Sequence, residues 1–418
     1  MRWFMNFMLL AQKTIRKRRR RERSMEKKKR KTKTTKTKTT ATTPPKSYVP
    51  EEMITEILLS LPVKSLIRFK CVSKPWFSLI SDPNFAESHF QLTAHTRKIE
   101  FISTELQKTT SIDFEEQLVL RNASVKQFNF LHPQPDSLIQ IISSCRGFIF
   151  FKYSSSFCIF NPCTQVHKQI PLAPGEFETN LELRDLYYLY GFGYDRLRDD
   201  YLVVSLSCIL AEEDFSRLEY FSFKDNKWKE IEDTYFLYTK DKIEPRVGSL
   251  YNDAIHWIAI HSDSLTEVII AFDLTERKLF EMPYPNGLGH KSDYCELWVF
   301  GEFLSLWAKD CENNTIEIWV MKEYNMHWSW IKAIVLRMNI RFFNEFFPLC
   351  STKNGDIIGT DAENMLVRYN NKGELIEGSS YRCFADGVVS CGSPSIVYTE
   401  SLLSLPGDDM QVYEDDSD

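Results

Sequence analysis

The chain has 418 residues, 43% of them hydrophobic and only 15 of them glycine, which suits two or three packed domains and excludes a low-complexity polymer. Residues 1–47 hold 18 Lys and Arg against 2 Asp and Glu, whereas the remaining residues hold 34 against 55. These counts give net charges of +16 and −21, which disfavour a basic globular nucleic-acid binder and predict a basic arm on an acidic body.

Residues 1–47 are predicted to form a disordered basic arm. Two cationic blocks, 16–21 and 27–31, precede Lys/Thr repeats that bury too little apolar surface to fold. Such runs are typical of nuclear-import signals or polyanion contacts; the alternatives are a solvated tail or sequence upstream of a start at Met25. The apolar run Trp3–Ala11 is too short to span a membrane, and its flanking charge follows it, unlike in a signal peptide. We expect a protein of the nucleus and/or cytoplasm, with no membrane partner.

Residues 48–92 predict a small domain of three short helices. The first follows Pro50, Pro62 ends it and starts the second, and Ser73 caps the third, which ends at Asp82. Large apolar side chains recur at helical spacing throughout. A domain of about 40 residues rarely stands alone. With more apolar surface than its own core can use, it is expected to bury the excess against another protein.

Residues 97–405 change to short alternating strands rich in β-branched and aromatic residues. A strand and polar turn recur, and the turns are anchored at positions 113, 161, 225, 273, 323 and 370, which are 48, 64, 48, 50 and 47 residues apart. A period near 50 predicts a mainly β, kelch-like β-propeller of about six blades. The 64-residue interval predicts an inserted loop at 211–215 or 175–184. An irregular β-sandwich is the alternative fold, and residues 406–418 are predicted to be an acidic disordered tail.

The residues that carry enzyme chemistry do not group in this sequence. The ten cysteines show no Cys-x-x-Cys or zinc-finger spacing, so reduced, mostly buried thiols and no cofactor are expected. There is no phosphate-binding loop, nucleophile elbow or His-Glu-x-x-His sequence, and lone histidines such as His256 are expected to be structural. We therefore predict a protein that is not an enzyme.

Two stretches carry a resemblance to a known family. Residues 49–76, continuing to Phe85, closely resemble the F-box of the large plant F-box family in order, spacing and identity over about 37 positions. Val49 stands where Leu is usual, and Pro75 falls within the third helix. The later part resembles the kelch-like F-box-associated domain of the same family, through residues 144–147, 161–164, 190–195, 199–204 and 395–402.

This resemblance implies a substrate-recognition subunit of an SCF-type (Skp–cullin–F-box) ubiquitin ligase. The F-box would bind the Skp adaptor, and through it the cullin and RING subunits, while the β domain binds an unknown protein substrate. Such a receptor for protein ubiquitination needs no catalytic site. Carried over by position, the adaptor-facing residues should be Pro50, Ile54, Ile57, Leu58, Leu61, Pro62, Val63, Leu66, Cys71, Val72 and Trp76. Docking is favoured for Pro50, Leu58, Pro62 and Val63, whereas Trp76 and Phe69 suit the domain's own core equally well.

Two other functions stay open at this point. A propeller enzyme or small-ligand binder would require a deep pocket with convergent polar groups. A nuclear nucleic-acid-associated protein would bind through the basic arm in a salt-dependent way, but the acidic body opposes this and disfavours nucleic acid as a partner. If the chain is a receptor, specificity is expected in the loop tips 212–215, 286–290 and 310–314.

Overall fold

The computed structural model describes residues 50–94, 97–103, 108–113, 124–127, 140–153, 155–176, 186–209, 215–231, 246–260, 266–288, 295–310, 312–338, 346–361, 366–376 and 395–406. The predicted basic arm, and the predicted acidic tail after Pro406, lie outside these residues. The chain divides into two compact units, Met1–Ile80 and Ser81–Asp418. None of the helices described is long and apolar enough to cross a membrane.

Four helices follow one another between residues 51 and 93: α1 (Glu51–Leu59), α2 (Val63–Phe69), α3 (Lys74–Ser81) and α4 (Pro83–Thr93). The first three confirm the predicted helices, and Pro50 and Pro62 precede α1 and α2 in extended conformation. The fourth was not predicted. Asp82 and Pro83 end α3, but they also start α4, because the Asp82 carboxylate accepts hydrogen bonds from Asn84 N (2.9 Å) and Phe85 N (3.1 Å). Helix α4 belongs to the second unit.

The second unit contains six β-sheets among its described residues, and each is called a blade here. Blade one consists of β24 (Ser395–Thr399), β1 (Arg97–Ser103), β2 (Lys108–Asp113) and β3 (Ser124–Gln127). Blade two consists of β4 (Gln140–Cys145), β5 (Phe148–Lys152), β6 (Ser156–Phe160) and β7 (His167–Pro171). Blade three consists of β8 (Leu186–Asp195), β9 (Asp200–Ile209), β10 (Phe215–Ser222) and β11 (Lys227–Ile231), with β12 (Arg246–Val247) beside β8.

Blade four consists of β13 (Ser249–Tyr251), β14 (Ala254–Ile260), β15 (Glu267–Asp273) and β16 (Lys278–Met282). Blade five consists of β17 (Cys295–Phe300), β18 (Phe303–Asp310), β19 (Thr315–Met321) and β20 (Trp330–Arg337). Blade six consists of β21 (Phe346–Ser351), β22 (Ile357–Asp361) and β23 (Leu366–Tyr369). Within each blade, neighbouring strands are antiparallel except β12, which pairs parallel to β8.

The six blades form a closed ring. Their first strands contact one another in the order β24, β4, β8, β13, β17, β21 and back to β24. Five blades are built from consecutive strands, whereas blade one joins β24 to β1, with Lys98 opposite Tyr398. This arrangement is a β-propeller and not a β-sandwich, so the predicted mainly β propeller fold is confirmed.

The sequence repeat corresponds to one structural position in every blade. All six anchors lie at the end of the third strand or in the turn that follows it. In three of these turns the side-chain oxygen of Asn161, Asp273 or Asn370 accepts a hydrogen bond from the backbone N–H two residues later, at 2.8–2.9 Å. The 64-residue interval falls in blade three, where β8 and β9 have ten residues each; residues 177–185 and 210–214 lie outside the described chain.

The core of the propeller lies between the faces of neighbouring blades. Leu202 and Val204 of blade three, for example, share one buried cluster with Ile255 and Trp257 of blade four. The ring closure has its own tight contact, because Gly147 has φ of +88° and a side chain there would lie 2.2 Å from Ser401 Oγ. Only glycine fits both the conformation and the space at this position.

Candidate functional site

The unit that contains α1–α3 presents part of the predicted adaptor-facing set to solvent, at positions before and between the helices. Of the eleven residues, four are exposed, namely Pro50, Pro62, Cys71 and Val72. Four are partly buried, namely Ile54, Ile57, Leu61 and Trp76, and three are buried, namely Leu58, Val63 and Leu66. Docking by all eleven stays a prediction. The three buried side chains are at most 2% exposed, so they shape the surface from beneath.

The packing of one aromatic residue of this unit and the exposure of another add to what the sequence predicted. Trp76 contacts buried Phe69 edge to face, with ring centroids 5.2 Å apart, so part of its surface belongs to the core. Phe77 was not among the predicted docking residues, yet its side chain is 42% exposed, close to the 48% of Val72. Helical spacing places Phe77 on the same face as Ile80, which lies three residues later and is buried, so the pattern of α3 gives no signal for the exposure of Phe77.

Helix α4 is fastened to the propeller by Arg146, in the turn between β4 and β5. The guanidinium lies between the rings of Phe90 and Tyr194, 4.9 and 4.0 Å from their centroids. It forms an ion pair with Glu87 of α4 and donates to Tyr201 Oη at 3.3 Å. Burial alone would lower the pKa of Arg146, but the charges and hydrogen bonds of Tyr201 and Glu87 raise this pKa above its ordinary value, so the group stays cationic.

Replacing Arg146 with alanine is expected to lower the free energy of unfolding by about 2 kcal/mol, since one cation–π site and one partly buried ion pair are lost. Amide hydrogens of α4 should then exchange at least tenfold faster in a mass-spectrometric measurement. Arg146→Lys keeps the charge but not the planar stacking, so it should fall between the two proteins. Unchanged exchange in α4 would contradict this role.

A cleft of about 980 Å³ lies beside Arg146, entirely within the second unit. Its walls come from α4, from turns of blades two and three, and from the segment 403–406. Its aromatic side chains are Phe90, Tyr194 and Tyr201, and its charged side chains are Glu87, Arg146, Arg196, Asp199 and Lys224. Tyr194 donates a hydrogen bond to Asp199 at 2.6 Å, so both acids of the cleft have a partner within it.

The predicted loop tips lie at the other end of the propeller. Because the strands of a blade alternate in direction, the turn from its first to its second strand and the turn from its third to its fourth strand lie at one end of the propeller. The turn from the second to the third strand, and the connection to the next blade, lie at the opposite end. The cleft uses turns of the first kind. All three predicted loops, 212–215, 286–290 and 310–314, are connections of the second kind. Residues 212–214, 289, 290 and 311 of these loops lie outside the described residues.

No constellation typical of catalysis is found in the described part of the chain. It holds no group of three or more His, Cys, Asp or Glu side chains that could bind a metal ion. His256 is buried, its ring nitrogens lie 3.1 Å from Ser249 O and 2.8 Å from Tyr324 Oη, and burial lowers its pKa to about 4. A neutral histidine with both nitrogens engaged serves packing. Six cysteines are free thiols, namely Cys71, Cys145, Cys158, Cys163, Cys295 and Cys350.

Comparison with known proteins gives this architecture a family. A model of the F-box domain matches residues 47–88, and a model of the F-box associated beta propeller domain matches residues 91–404, three quarters of the chain. The chain belongs to the F-box proteins with an F-box-associated β-propeller. It is 25% identical to the F-box protein CPR1 of Arabidopsis thaliana, over 77% of this chain and 80% of that protein. It is 30% identical to an F-box/kelch-repeat protein of the same plant, over 77% and 87%.

The two family domains meet inside α4. The F-box match ends at residue 88 and the propeller match begins at 91, whereas α4 runs from Pro83 to Thr93. By packing, the whole helix belongs to the propeller unit, with Phe85, Ala86 and His89 buried. This F-box protein therefore keeps the last part of its F-box sequence on the propeller, where Arg146 holds it.

Proposed function

We propose that this F-box protein is the substrate-recognition subunit of an SCF-type ubiquitin ligase. Its F-box docks on the Skp adaptor, and through it on the cullin and RING subunits, while the propeller holds a protein target. The observation that carries the proposal is an F-box whose helices and connecting turns expose apolar side chains on a unit too small to use them internally. A non-catalytic receptor of this kind acts by raising the concentration of target near the ubiquitin-carrying subunit.

Adaptor docking is assigned to exposed apolar residues that lie mostly just before or between the helices α1–α3. Pro50, Pro62 and Val72 are accessible, and Phe77 enlarges the same kind of surface. Exposed prolines with fixed φ present a preorganised shape that loses little entropy on binding. The buried predicted residues hold these positions in place, so their substitution would act through folding.

Target binding is assigned to the propeller end that carries the two-to-three and blade-to-blade connections. At this end the loops can vary without disturbing the pairing of the strands. Within one of them, Asn313 donates to the Asp310 carboxylate from its backbone (3.0 Å) and its side chain (2.7 Å), which gives the tip a defined shape. We place the protein in the nucleus and/or cytoplasm, where its adaptor would meet it.

Co-expression with a Skp adaptor, followed by affinity measurement on the purified proteins, tests the docking. Val72→Asp should weaken the complex at least tenfold, because a carboxylate then faces an apolar interface at a cost of about 2 kcal/mol. Leu92→Asp is the matched control: Leu92 is 57% exposed but lies on α4. It should bind like the wild type.

Both variants alter exposed positions, so both should keep the circular dichroism spectrum of the wild type. Leu58→Asp would not serve, because Leu58 is fully buried and its loss would unfold the helices. A folded wild type that does not bind the adaptor would refute the proposed function. Equal binding by the Val72 and Leu92 variants would refute the assigned surface.

A further inference from the structure

The cleft beside Arg146 is bounded on one side by the last described segment of the chain. After β24, Leu403 and Leu405 are buried at 8% and 3% exposure, and they alternate with Ser404 and Pro406. All four residues line the cleft. The chain thus runs along the wall of the cleft and leaves the described structure there, at Pro406.

The chemistry of the cleft combines an aromatic interior with cations toward solvent. The Arg196 side chain is 74% exposed, and Asp253, with which it forms an ion pair, is 53% exposed, with Nε and Oδ1 3.3 Å apart. Such a pair contributes little and exchanges readily for another carboxylate. Lys224 Nζ donates to the neutral carbonyl of Arg198 at 2.9 Å. Both cations therefore remain available to an acidic ligand.

The sequence that follows Pro406 has the complementary pattern. Residues 407–418 contain six Asp and Glu and no Lys or Arg. Three apolar residues, Met410, Val412 and Tyr413, lie between an acidic pair at 408–409 and an acidic run at 414–416. Apolar side chains flanked by carboxylates match an aromatic cleft flanked by Arg196 and Lys224.

We propose that residues 407–418 bind in this cleft, with their apolar residues against Tyr194 and their carboxylates at Arg196 and Lys224. Twelve residues reach up to about 40 Å when extended, which exceeds what a cleft of this volume requires. Because the segment starts at the wall of the cleft, its effective concentration there is on the order of millimolar, so weak intrinsic affinity suffices. The inference is independent of adaptor docking.

A synthetic peptide of residues 407–418 tests this directly. The peptide is titrated against a chain ending at Pro406, which keeps every described element, and against the full chain. We expect it to bind the shortened chain and to bind the full chain at least tenfold more weakly, since the covalent segment already occupies the cleft. Binding to the shortened chain should weaken with added salt, because exposed charges are screened.

Charge reversal assigns the binding to the cleft. Arg196→Glu with Lys224→Glu in the shortened chain should weaken the peptide at least tenfold, whereas Lys372→Glu, an exposed lysine in a turn of blade six, should not. Failure of the peptide to bind the shortened chain at millimolar concentration would overturn the proposal. So would equal binding to both chains, which would make the cleft a site for an acidic segment of another protein, or insensitivity to charge reversal.

Discussion

Replacement of Asn161 by alanine is expected to lower the free energy of unfolding by about 3 kcal/mol or more. Asn161 is fully buried, and its amide nitrogen donates to Ser401 O (3.2 Å) and Leu403 O (3.3 Å), while its oxygen accepts from Cys163 N (2.9 Å) and Thr164 N (3.3 Å). Alanine would remove the hydrogen bonds to the buried carbonyl groups of Ser401 and Leu403, and a buried group left unsatisfied costs about 1–3 kcal/mol.

The effect should be specific to the closure of the ring, because Asn161 joins blade two to the segment after β24. Urea unfolding gives the free energy, and limited proteolysis should show earlier cleavage near residue 401. Asn370 is the matched control, since it holds the equivalent turn of blade six but its amide nitrogen donates to Glu374, an exposed glutamate. Asn370→Ala should cost about 1 kcal/mol. Equal losses for the two variants would contradict the role of Asn161 in closure.

Replacement of Asp195 by alanine is expected to cost about 3–5 kcal/mol, the range found when one partner of a buried ion pair is removed. The Asp195 carboxylate has no exposed surface and joins blade three to blade four. It accepts from Leu197 N (3.0 Å) and Arg198 N (3.2 Å), and it pairs with the guanidinium groups of Arg198 (2.9 Å) and Arg277 (2.8 Å). Asp195→Asn keeps one acceptor oxygen and should cost less.

The contribution of Asp195 should depend on pH. Burial alone would raise its pKa, but the hydrogen bonds from Arg198 and the charge of Arg277 hold the pKa below its ordinary value of 3.8. Because the folded pKa is depressed, the stabilisation is full above the unfolded pKa and is lost as pH falls through the folded value. Melting temperatures between pH 2.5 and 6 should therefore fall more steeply below pH 4 for the wild type than for Asp195→Asn.

Asp225→Asn provides the comparison, because Asp225 is a solvent-exposed acid of the same blade that pairs with Lys229. It should leave the melting temperature nearly unchanged at pH 7. An Asp195→Ala protein as stable as this control would show that the network between the two blades contributes nothing.

Local sequence pattern predicted what local chemistry determines. The six anchors were found because an Asp, Asn or Glu lies at the end of the third strand of each blade or in the turn that follows. In three of these turns its side-chain oxygen accepts a hydrogen bond from a backbone N–H of the turn. The helices were found because prolines and apolar spacing mark their ends and faces. Helix α4 was missed for the same reason, since Asp82 and Pro83 give the same signal for the end of one helix and the start of another.

The cleft could not be predicted, because it depends on contacts between residues far apart in the sequence. Arg146 lies 56 residues from Phe90 and 48 from Tyr194, and neither its stacking nor its pair with Glu87 leaves a periodic trace. The adaptor-facing set shows a related limit. A motif gives the positions of Leu58, Val63 and Leu66, but only the packed helices show that these side chains lie inside.

The pairing of β24 with β1 has a consequence for synthesis on the ribosome. Strand β1 ends at Ser103 and its partner begins at Ser395, so almost 300 residues must be translated before this edge is covered. At 5–20 residues per second, that interval is about 15–60 s. Throughout it, the growing chain exposes an unpaired strand edge, a feature prone to pairing with other chains. Efficient production of this protein should therefore depend on chaperones that act on nascent chains.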